Sequence, residues 1–234
     1  MFQCLILERH YIHIGDPNNM RITSGLTAPK RLIVRQTLKN MSAFIEIMKY
    51  IQAFEKYGCK EYENGTKLYG HAPFIAPKAY NFRIFSPVSE QEIVKLEQDM
   101  HREIPIAYRS FLMKNANGLN LFNTTLCFDG LRKSYCRSLD ATPEPFSLSE
   151  LNRFERPKNA KESYFFIGGY DSDLSKLYIN SDDGTVHFCK RWDATSLLQW
   201  NSFEEMILSE TKRLLTLHSD RGEALVPHEK TLPI

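Results

Sequence analysis

Residues 103–119 read EIPIAYRSFLMKNANGL, in which a proline separates two stretches of apolar residues. Pro105 lacks a backbone N–H and restricts the residue before it to an extended conformation, so a preceding helix has to end there. Proline also suits the first turn of a following helix, and this second helix is expected to end near Gly118. The apolar face of that helix would be formed by Tyr108, Phe111 and Leu112. The stretch therefore predicts two helices that meet at a corner and cover a sheet.

The helix before the corner has a recognisable start. Ser89 and Glu92 have the spacing of a capping box, in which each side chain accepts a hydrogen bond from the other residue's backbone N–H. The same Ser-x-x-Glu spacing recurs at Ser147 with Glu150 and at Ser202 with Glu205. The last pair predicts a closing helix whose apolar face ends near Leu217.

Short apolar segments between these helices predict strands. They lie at 119–122, 125–128, 164–168, 174–180 and 185–191. The last two flank SDDG, where Asp183 and Gly184 favour a tight turn, so we expect them to form an antiparallel hairpin. Helices that alternate with antiparallel strands indicate an α+β fold with a mainly antiparallel sheet covered by helices.

The N-terminal part is predicted as a helix-hairpin extension. Apolar residues at helical spacing run from about Gln36 to Tyr57, and Asn64 with Gly65 in KEYENGTKLY is a strong hairpin signal. Prolines at 73, 77 and 87 then suggest a boundary. The predicted organisation is an arm over 1–85, a main domain over 86–218 and a loose, dispensable tail over 219–234.

Charge is distributed unevenly along the 234 residues, although the net charge is only +2. Residues 1–88 contain 12 basic and 6 acidic side chains, whereas 89–234 contain 18 and 22. An acidic main domain argues against direct nucleic-acid binding. The five scattered cysteines, without a C-x-x-C pair, favour a reducing compartment. Neither an export signal nor a membrane span is expected, so we predict a cytoplasmic protein.

The order of these motifs resembles the SUKH superfamily, the Smi/Knr type of domain. The resemblance covers about residues 86–217. It rests on IPxxYxxFL followed by NG, on IGGYDSD, on the DDG hairpin, and on Trp192 followed by SFEEMI. This sequence has Gly118 followed by Leu119 where the family usually has two glycines, and residues 1–85 match nothing in the family.

The resemblance implies a domain without catalytic activity and without a cofactor. The family includes yeast cell-wall synthesis regulators and many bacterial immunity proteins, whose toxins are often nucleases. The implied function is an intracellular immunity protein that binds and neutralises a cognate toxin. The alternative is a regulatory or scaffolding domain of the Smi/Knr type that binds an endogenous protein.

The residues themselves offer little for catalysis or metal binding. His10 and His13 would point to opposite faces of a strand and have no third ligand nearby. His187 and Cys189 share a strand face and form a conceivable base and thiolate pair, but a hairpin strand with a polar face is the favoured interpretation. The calcium-loop pattern that starts at Asp171 fails because Lys176 stands where the turn glycine belongs. GGYDSD also lacks the lysine and hydroxyl residue of a phosphate-binding loop.

An excess of acids in the second half is the best candidate for a binding surface. Six acidic residues lie between Glu162 and Asp193 against three basic ones. Several of them fall in turns, where binding residues collect, and such a surface would attract a basic partner. The alternative is that aspartate simply favours turns, and that the tryptophans belong to the core. The predicted partner-binding residues are Asp171, Asp173, Asp182, Asp183 and Trp192.

Overall fold

The computed structural model describes residues 4–7, 10–13, 43–136 and 141–234. These residues belong to two units, one within Met1–Lys39 and one within Asn40–Ile234. In the first unit, β1 (Cys4–Leu7) and β2 (His10–His13) pair as an antiparallel hairpin. The turn expected at 16–19 and the first part of the predicted N-terminal helix lie outside the described residues.

The second unit is built on a nine-stranded sheet. Each strand pairs antiparallel with the strand before it, so the sheet follows chain order from one edge to the other. The strands are β3 (Cys59–Glu61), β4 (Lys67–His71), β5 (Tyr80–Ile84), β6 (Leu119–Leu121), β7 (Leu126–Phe128), β8 (Tyr164–Tyr170), β9 (Lys176–Asn180), β10 (Val186–Lys190) and β11 (Asp193–Trp200).

Along the chain, one helix precedes the first strand of this sheet, three lie between strands and one follows the last strand. They are α1 (43–52), α2 (Glu90–Met100), α3 (Ile106–Lys114), α4 (Leu148–Arg153) and α5 (Phe203–Thr216). The α+β fold with an antiparallel sheet is thus confirmed. No helix in the described part of the chain combines the length and the apolar character that crossing a bilayer requires.

The corner between α2 and α3 forms as the sequence predicts. Ser89 and Glu92 make the reciprocal capping box at the start of α2. The helix ends at His101, which adopts a left-handed conformation with φ of 52°. Pro105 then directly precedes the first residue of α3. At α4 and α5 the serine cap is present, and its side chain accepts from the backbone N–H of Glu150 or Glu205.

Tyr108 of α3 connects the helices to the sheet. Its side chain is fully buried, and its hydroxyl lies 2.5 Å from the carbonyl oxygen of Asp129 and 3.0 Å from that of Ile167. The first carbonyl belongs to the residue directly after β7, and the second lies in the middle of β8. Burial also raises the pKa of the Tyr108 hydroxyl well above its usual value, so it stays a donor.

The two faces of the sheet carry different cores. Because side chains alternate along a strand, Phe165 and Ile167 face the large core under α1, α3 and α5, whereas Phe166 faces the other side. There Phe166 joins Tyr178 in a smaller cluster capped by Leu151 of α4. Leu148 of the same helix belongs to the large core, so α4 contributes to both clusters.

Two strands were not predicted, and both lie where the sequence pattern is weak. β11 is an edge strand with most of its side chains exposed, so it shows no apolar alternation. β5 lies between Pro77 and Pro87, in the stretch where the prolines suggest a boundary. Its pairing with β6 carries the sheet across the boundary expected at residues 85 and 86, so the hairpin of β3 and β4 extends the same sheet.

Helix α1 packs on the large core, as the sequence predicts. Ile47 and Ile51 are fully buried, and the Phe44 ring contacts Phe111 of α3 at a centroid distance of 5.8 Å. Ile45 also has the helical spacing of the apolar residues, but it is 53% exposed, so the buried stripe is rotated toward Ile47. Glu46 forms an ion pair of 2.6 Å with Lys212 of α5.

The loose tail expected over 219–234 is corrected by the structure. Arg213 of α5 donates to the carbonyl oxygens of Thr231 and Leu232 at 2.6 and 3.2 Å, and Thr231 is fully buried. Asn81 of β5 donates to the carbonyl of Arg221 at 2.7 Å. In these contacts backbone carbonyls accept from side chains, and a search for apolar periodicity cannot detect them.

Tyr108→Phe tests the connection between helix and sheet. We expect the free energy of unfolding to fall by about 1–3 kcal/mol, because the buried Asp129 carbonyl loses its hydroxyl donor. Urea unfolding gives this value. Tyr135→Phe is the control, since that side chain is 57% exposed, and it should change stability by less than about 0.5 kcal/mol. Equal stabilities for wild type and Tyr108→Phe would contradict the assigned contact.

Truncation tests the docking of the C-terminal segment. A chain that ends at His218 should lose on the order of 2–5 kcal/mol, because Arg213 loses two carbonyl acceptors in a largely buried site. A chain that ends at Leu232 is the matched control, since it keeps both acceptors and lacks only the exposed end. Indistinguishable urea midpoints for the two truncated chains would show that the segment adds no stability.

Candidate functional site

The structure separates the five predicted partner-binding residues into two groups. Asp171 and Asp173 lie in the turn between β8 and β9, and Trp192 lies between β10 and β11. Asp182 and Asp183 lie in the turn between β9 and β10. Successive turns of an antiparallel meander lie at opposite ends of the sheet, so the expected single acidic surface is divided between both ends.

Several of these aspartates also have local roles in their turns. Asp173 accepts from the backbone N–H of Ser175 at 2.9 Å, and Asp183 accepts in the same way from Thr185 at 2.9 Å. The hydroxyl and backbone N–H of Thr185 lower the pKa of Asp183. Asp171 accepts from the hydroxyl of Thr124 and lies 2.8 Å from Nε2 of His228.

A cavity of about 220 Å³ lies beside Asp171, at the end of the sheet that also carries Trp192. Its floor is a row of residues in register across three strands, with Cys127 of β7 beside Gly169 of β8 and Gly169 beside Lys176 of β9. The cavity therefore lies on the second face of the sheet, next to α4.

Two glycines keep the floor of the cavity clear of side chains. Gly168 has φ of +146°, and a Cβ placed there would lie 2.0 Å from the carbonyl oxygen of Cys127. A Cβ on Gly169 would lie 1.9 Å from the carbonyl oxygen of Ser175. The register of β8 against β9 also shifts directly before these glycines, between Phe166 and Gly168. The sequence IGG is therefore needed for the shape of the cavity.

Helix α4 forms the wall. Asn152 fixes it to the sheet, because its side-chain amide donates to the Phe166 carbonyl at 2.8 Å and accepts from the Phe166 N–H at 2.9 Å. The pairing of β7 with β8 stops at Phe128 and Gly168, and the amide bonds the backbone of β8 beyond that point. Glu150, Leu151 and Glu155 from α4 and the residues after it then line the cavity.

Asp129 brings a buried carboxyl group to this cavity. The residue directly follows β7, is 7% exposed and lines the cavity. No donor among the described residues forms a hydrogen bond to its carboxyl oxygens. Burial raises its pKa to about 7, the nearby Lys176 opposes that rise, and Glu155 and Glu150 add to it. Asp129 therefore holds its proton to a higher pH than an ordinary aspartate does.

Among the described residues that line the cavity, Lys176 is the single basic one, and it is already engaged. Its side chain is 4% exposed, and Nζ lies 2.9 Å from Oε2 of Glu155. Against this one ammonium group stand four carboxyl groups, those of Asp129, Glu150, Glu155 and Asp171. The cavity therefore has an excess of negative charge.

Exposed apolar side chains line this cavity or belong to residues next to its lining. Phe146 and Leu174 line it directly and are 46% and 45% exposed. The ring of Trp192, 57% exposed, has Nζ of Lys176 at 5.8 Å from its centroid. Tyr135 donates to Glu150, and Phe154 directly precedes Glu155. We call these five side chains, Tyr135, Phe146, Phe154, Leu174 and Trp192, the apolar rim.

The sulfur-containing candidates do not form a nucleophilic site. Cys189 is fully buried, and burial raises the pKa of its thiol to about 12. Burial lowers the pKa of His187, whose ring nitrogens lie 2.8 Å from the hydroxyls of Thr185 and Ser196. Burial also raises the pKa of the Cys127 thiol well above its usual value. A thiolate nucleophile is therefore disfavoured at both buried cysteines.

Metal ligation finds no support in the described segments. They contain no group of three or more histidine, cysteine, aspartate or glutamate side chains arranged to hold an ion. The side chains of His10 and His13 lie outside the description. Asp171 and Asp173, which begin the failed calcium-loop pattern, bond instead to Thr124 and the Ser175 backbone.

Comparison with known proteins agrees with this architecture. The sequence profile of the SMI1 / KNR4 family (SUKH-1) matches residues 87–209, which run from just before α2 into α5. Neither curated proteins nor solved structures gave a significant match. Domains of this family are known to bind proteins and are generally without catalytic activity. The matched segment covers more than half of the chain, which therefore belongs to the SMI1 / KNR4 (SUKH-1) family.

Proposed function

We propose that this protein is an intracellular immunity protein that binds and neutralises a cognate bacterial toxin. The observation that supports this function best is the apolar rim around an acidic cavity at one end of the sheet. Aromatic side chains exposed around a recess are the usual anchors of protein interfaces. Asp171, Asp173 and Trp192 belong to this end and are proposed as contact residues.

Binding accounts for this site better than catalysis does. The two thiols on this face of the sheet are held protonated by burial, and His187 is engaged with two hydroxyls. Asp129 is a carboxyl group without an orienting partner among the described residues, and a general acid or base is normally oriented by a third group. The site therefore provides charge and apolar area without the geometry of a catalytic group.

The charge of the site favours a basic partner, which fits a nuclease toxin. Nucleases carry basic clefts for their phosphate substrate, and carboxylates on an immunity protein present a similar charge to such a cleft. Complementary charge mainly accelerates association and rejects wrong partners. Occlusion of the cleft would then block the toxin without any chemical step.

Co-expression with the product of the neighbouring gene tests this function. We expect cells that carry the toxin domain encoded beside this gene to survive when the wild-type protein is present, and the two proteins to co-elute as a stable complex. The complex should weaken as the salt concentration is raised, because salt screens interactions between solvent-exposed charges. Survival and size-exclusion chromatography give the two readouts.

Paired charge reversals locate the contact surface. Asp171→Lys with Asp173→Lys should slow association and reduce protection, whereas Asp182→Lys with Asp183→Lys, at the opposite end of the sheet, should leave both unchanged. Circular dichroism checks that each variant folds. Absence of protection and of a complex with every neighbouring gene product would overturn the immunity function. A stable complex with an endogenous non-toxic protein would establish the regulatory or scaffolding alternative instead.

A further inference from the structure

We infer that the cavity between α4 and the turn of β8 and β9 is a binding site for an arginine side chain of the partner protein. This inference rests on the proposed function as a protein-binding domain and adds the chemistry of the contact. The guanidinium group would enter between Phe146 and Leu174 and pair with the carboxylate of Asp129 at the floor.

Asp129 is the observation that points to a ligand. It is 93% buried, lines the cavity and receives no hydrogen bond at its carboxyl oxygens from the described residues. Its backbone is held by Tyr108 and by a 2.9 Å hydrogen bond from its N–H to the carbonyl of Ile167. Its side chain lines the cavity, so a ligand that enters there can reach the carboxyl group.

The charged groups that face Asp129 favour a cation as the missing partner. Lys176 of β9 is paired with Glu155 and is not within ion-pair distance of Asp129. Glu150 of α4 and Asp171 of the turn add negative charge, and Cys127 of β7 remains a neutral thiol. An added cation would compensate this excess, whereas an anion would increase the repulsion.

Arginine fits the site better than lysine does. Its planar guanidinium has five donors for the carboxylates of Asp129 and Glu150, and it loses its hydration more easily than an ammonium group. It also stacks on aromatic rings, and Phe146 lies at the mouth of the cavity. The glycine floor leaves about 220 Å³ for the side chain.

The same carboxyl group should make the free protein less stable as pH rises. The folded-state pKa of Asp129 is about 7, above the usual value for aspartate, so the folded state binds this proton more tightly than the unfolded state does. Its stabilising contribution is present at low pH and is lost as pH rises toward and through about 7. Asp129→Asn should therefore raise the melting temperature at about pH 8, by a few degrees.

An NMR titration of the full chain tests the site without the toxin. The probe is N-acetyl-arginine methylamide, and the matched neutral probe is the citrulline analogue, which has the same shape without the charge. We expect the arginine probe alone to shift the amide signals of Gly168, Gly169 and Asp129, with an affinity in the millimolar range. The lysine analogue should bind more weakly.

Matched aspartate-to-asparagine variants locate the charge that matters. Asp129→Asn should weaken arginine binding by at least about tenfold, as expected for a charge-assisted contact. Asp182→Asn, at the opposite end of the sheet, should bind as wild type does. Affinity of the wild type should rise from about pH 6 to about pH 8, on either side of the Asp129 pKa of about 7. Equal binding by the citrulline probe, or by Asp129→Asn, would overturn the arginine site.

The complex with a toxin gives the second measurement. Asp129→Asn should weaken that complex by at least about tenfold while melting no lower than the wild type, which a purely structural residue would not do. If the toxin binds both forms equally, the arginine site is wrong and the immunity function stands. If the arginine probe binds as described and no toxin complex forms, the site stands and the immunity function is wrong.

Discussion

The contact between the Tyr108 hydroxyl and the carbonyls of Asp129 and Ile167 is the constraint on which the candidate site depends. α2 ends at His101, and Pro105 directly precedes α3, which places the Tyr108 ring in the core below β7 and β8. The hydroxyl then fixes the backbone where β7 ends. Asp129 follows directly, so its carboxyl group stays at the floor of the cavity although its ionised form is costly there. The helix corner in the core therefore determines where the Asp129 carboxyl group lies in the cavity.

The sequence was informative wherever local chemistry decides structure. The Ser89 cap, the Pro105 corner and the hairpin turn at Gly184 depend on neighbouring residues, and all three are present. Interactions between distant residues leave no such local pattern. β11 is an exposed edge strand, and the C-terminal segment is held by Arg213 of α5. The edge strand and the docked segment both depend on contacts in the assembled fold, so the spacing of apolar residues along the sequence could not predict them.

The candidate site was predicted in part. The sequence indicated the acidic turns and Trp192. Their division between two ends of the sheet follows from the order of the strands, and the predicted hairpin at Asp183 is not enough to determine that order. Asp129 was missed because one aspartate after an apolar strand resembles an ordinary turn residue. The signal in the sequence is FDG. A Cβ added to Gly130 would lie 2.3 Å from the carbonyl oxygen of Asn117, so this position requires glycine. That close approach indicates a buried crossing, where an aspartate is unusual.

Direct titration of the Asp129 carboxyl carbon by NMR tests the central claim that this fold holds an uncompensated carboxyl group at a recognition site. In the free protein it should titrate with a pKa of about 7, because burial penalises its charged form. Addition of the arginine probe should lower that pKa, since a bound cation favours the ionised form. A pKa near the usual aspartate value in the free protein, unchanged by the probe, would contradict the account.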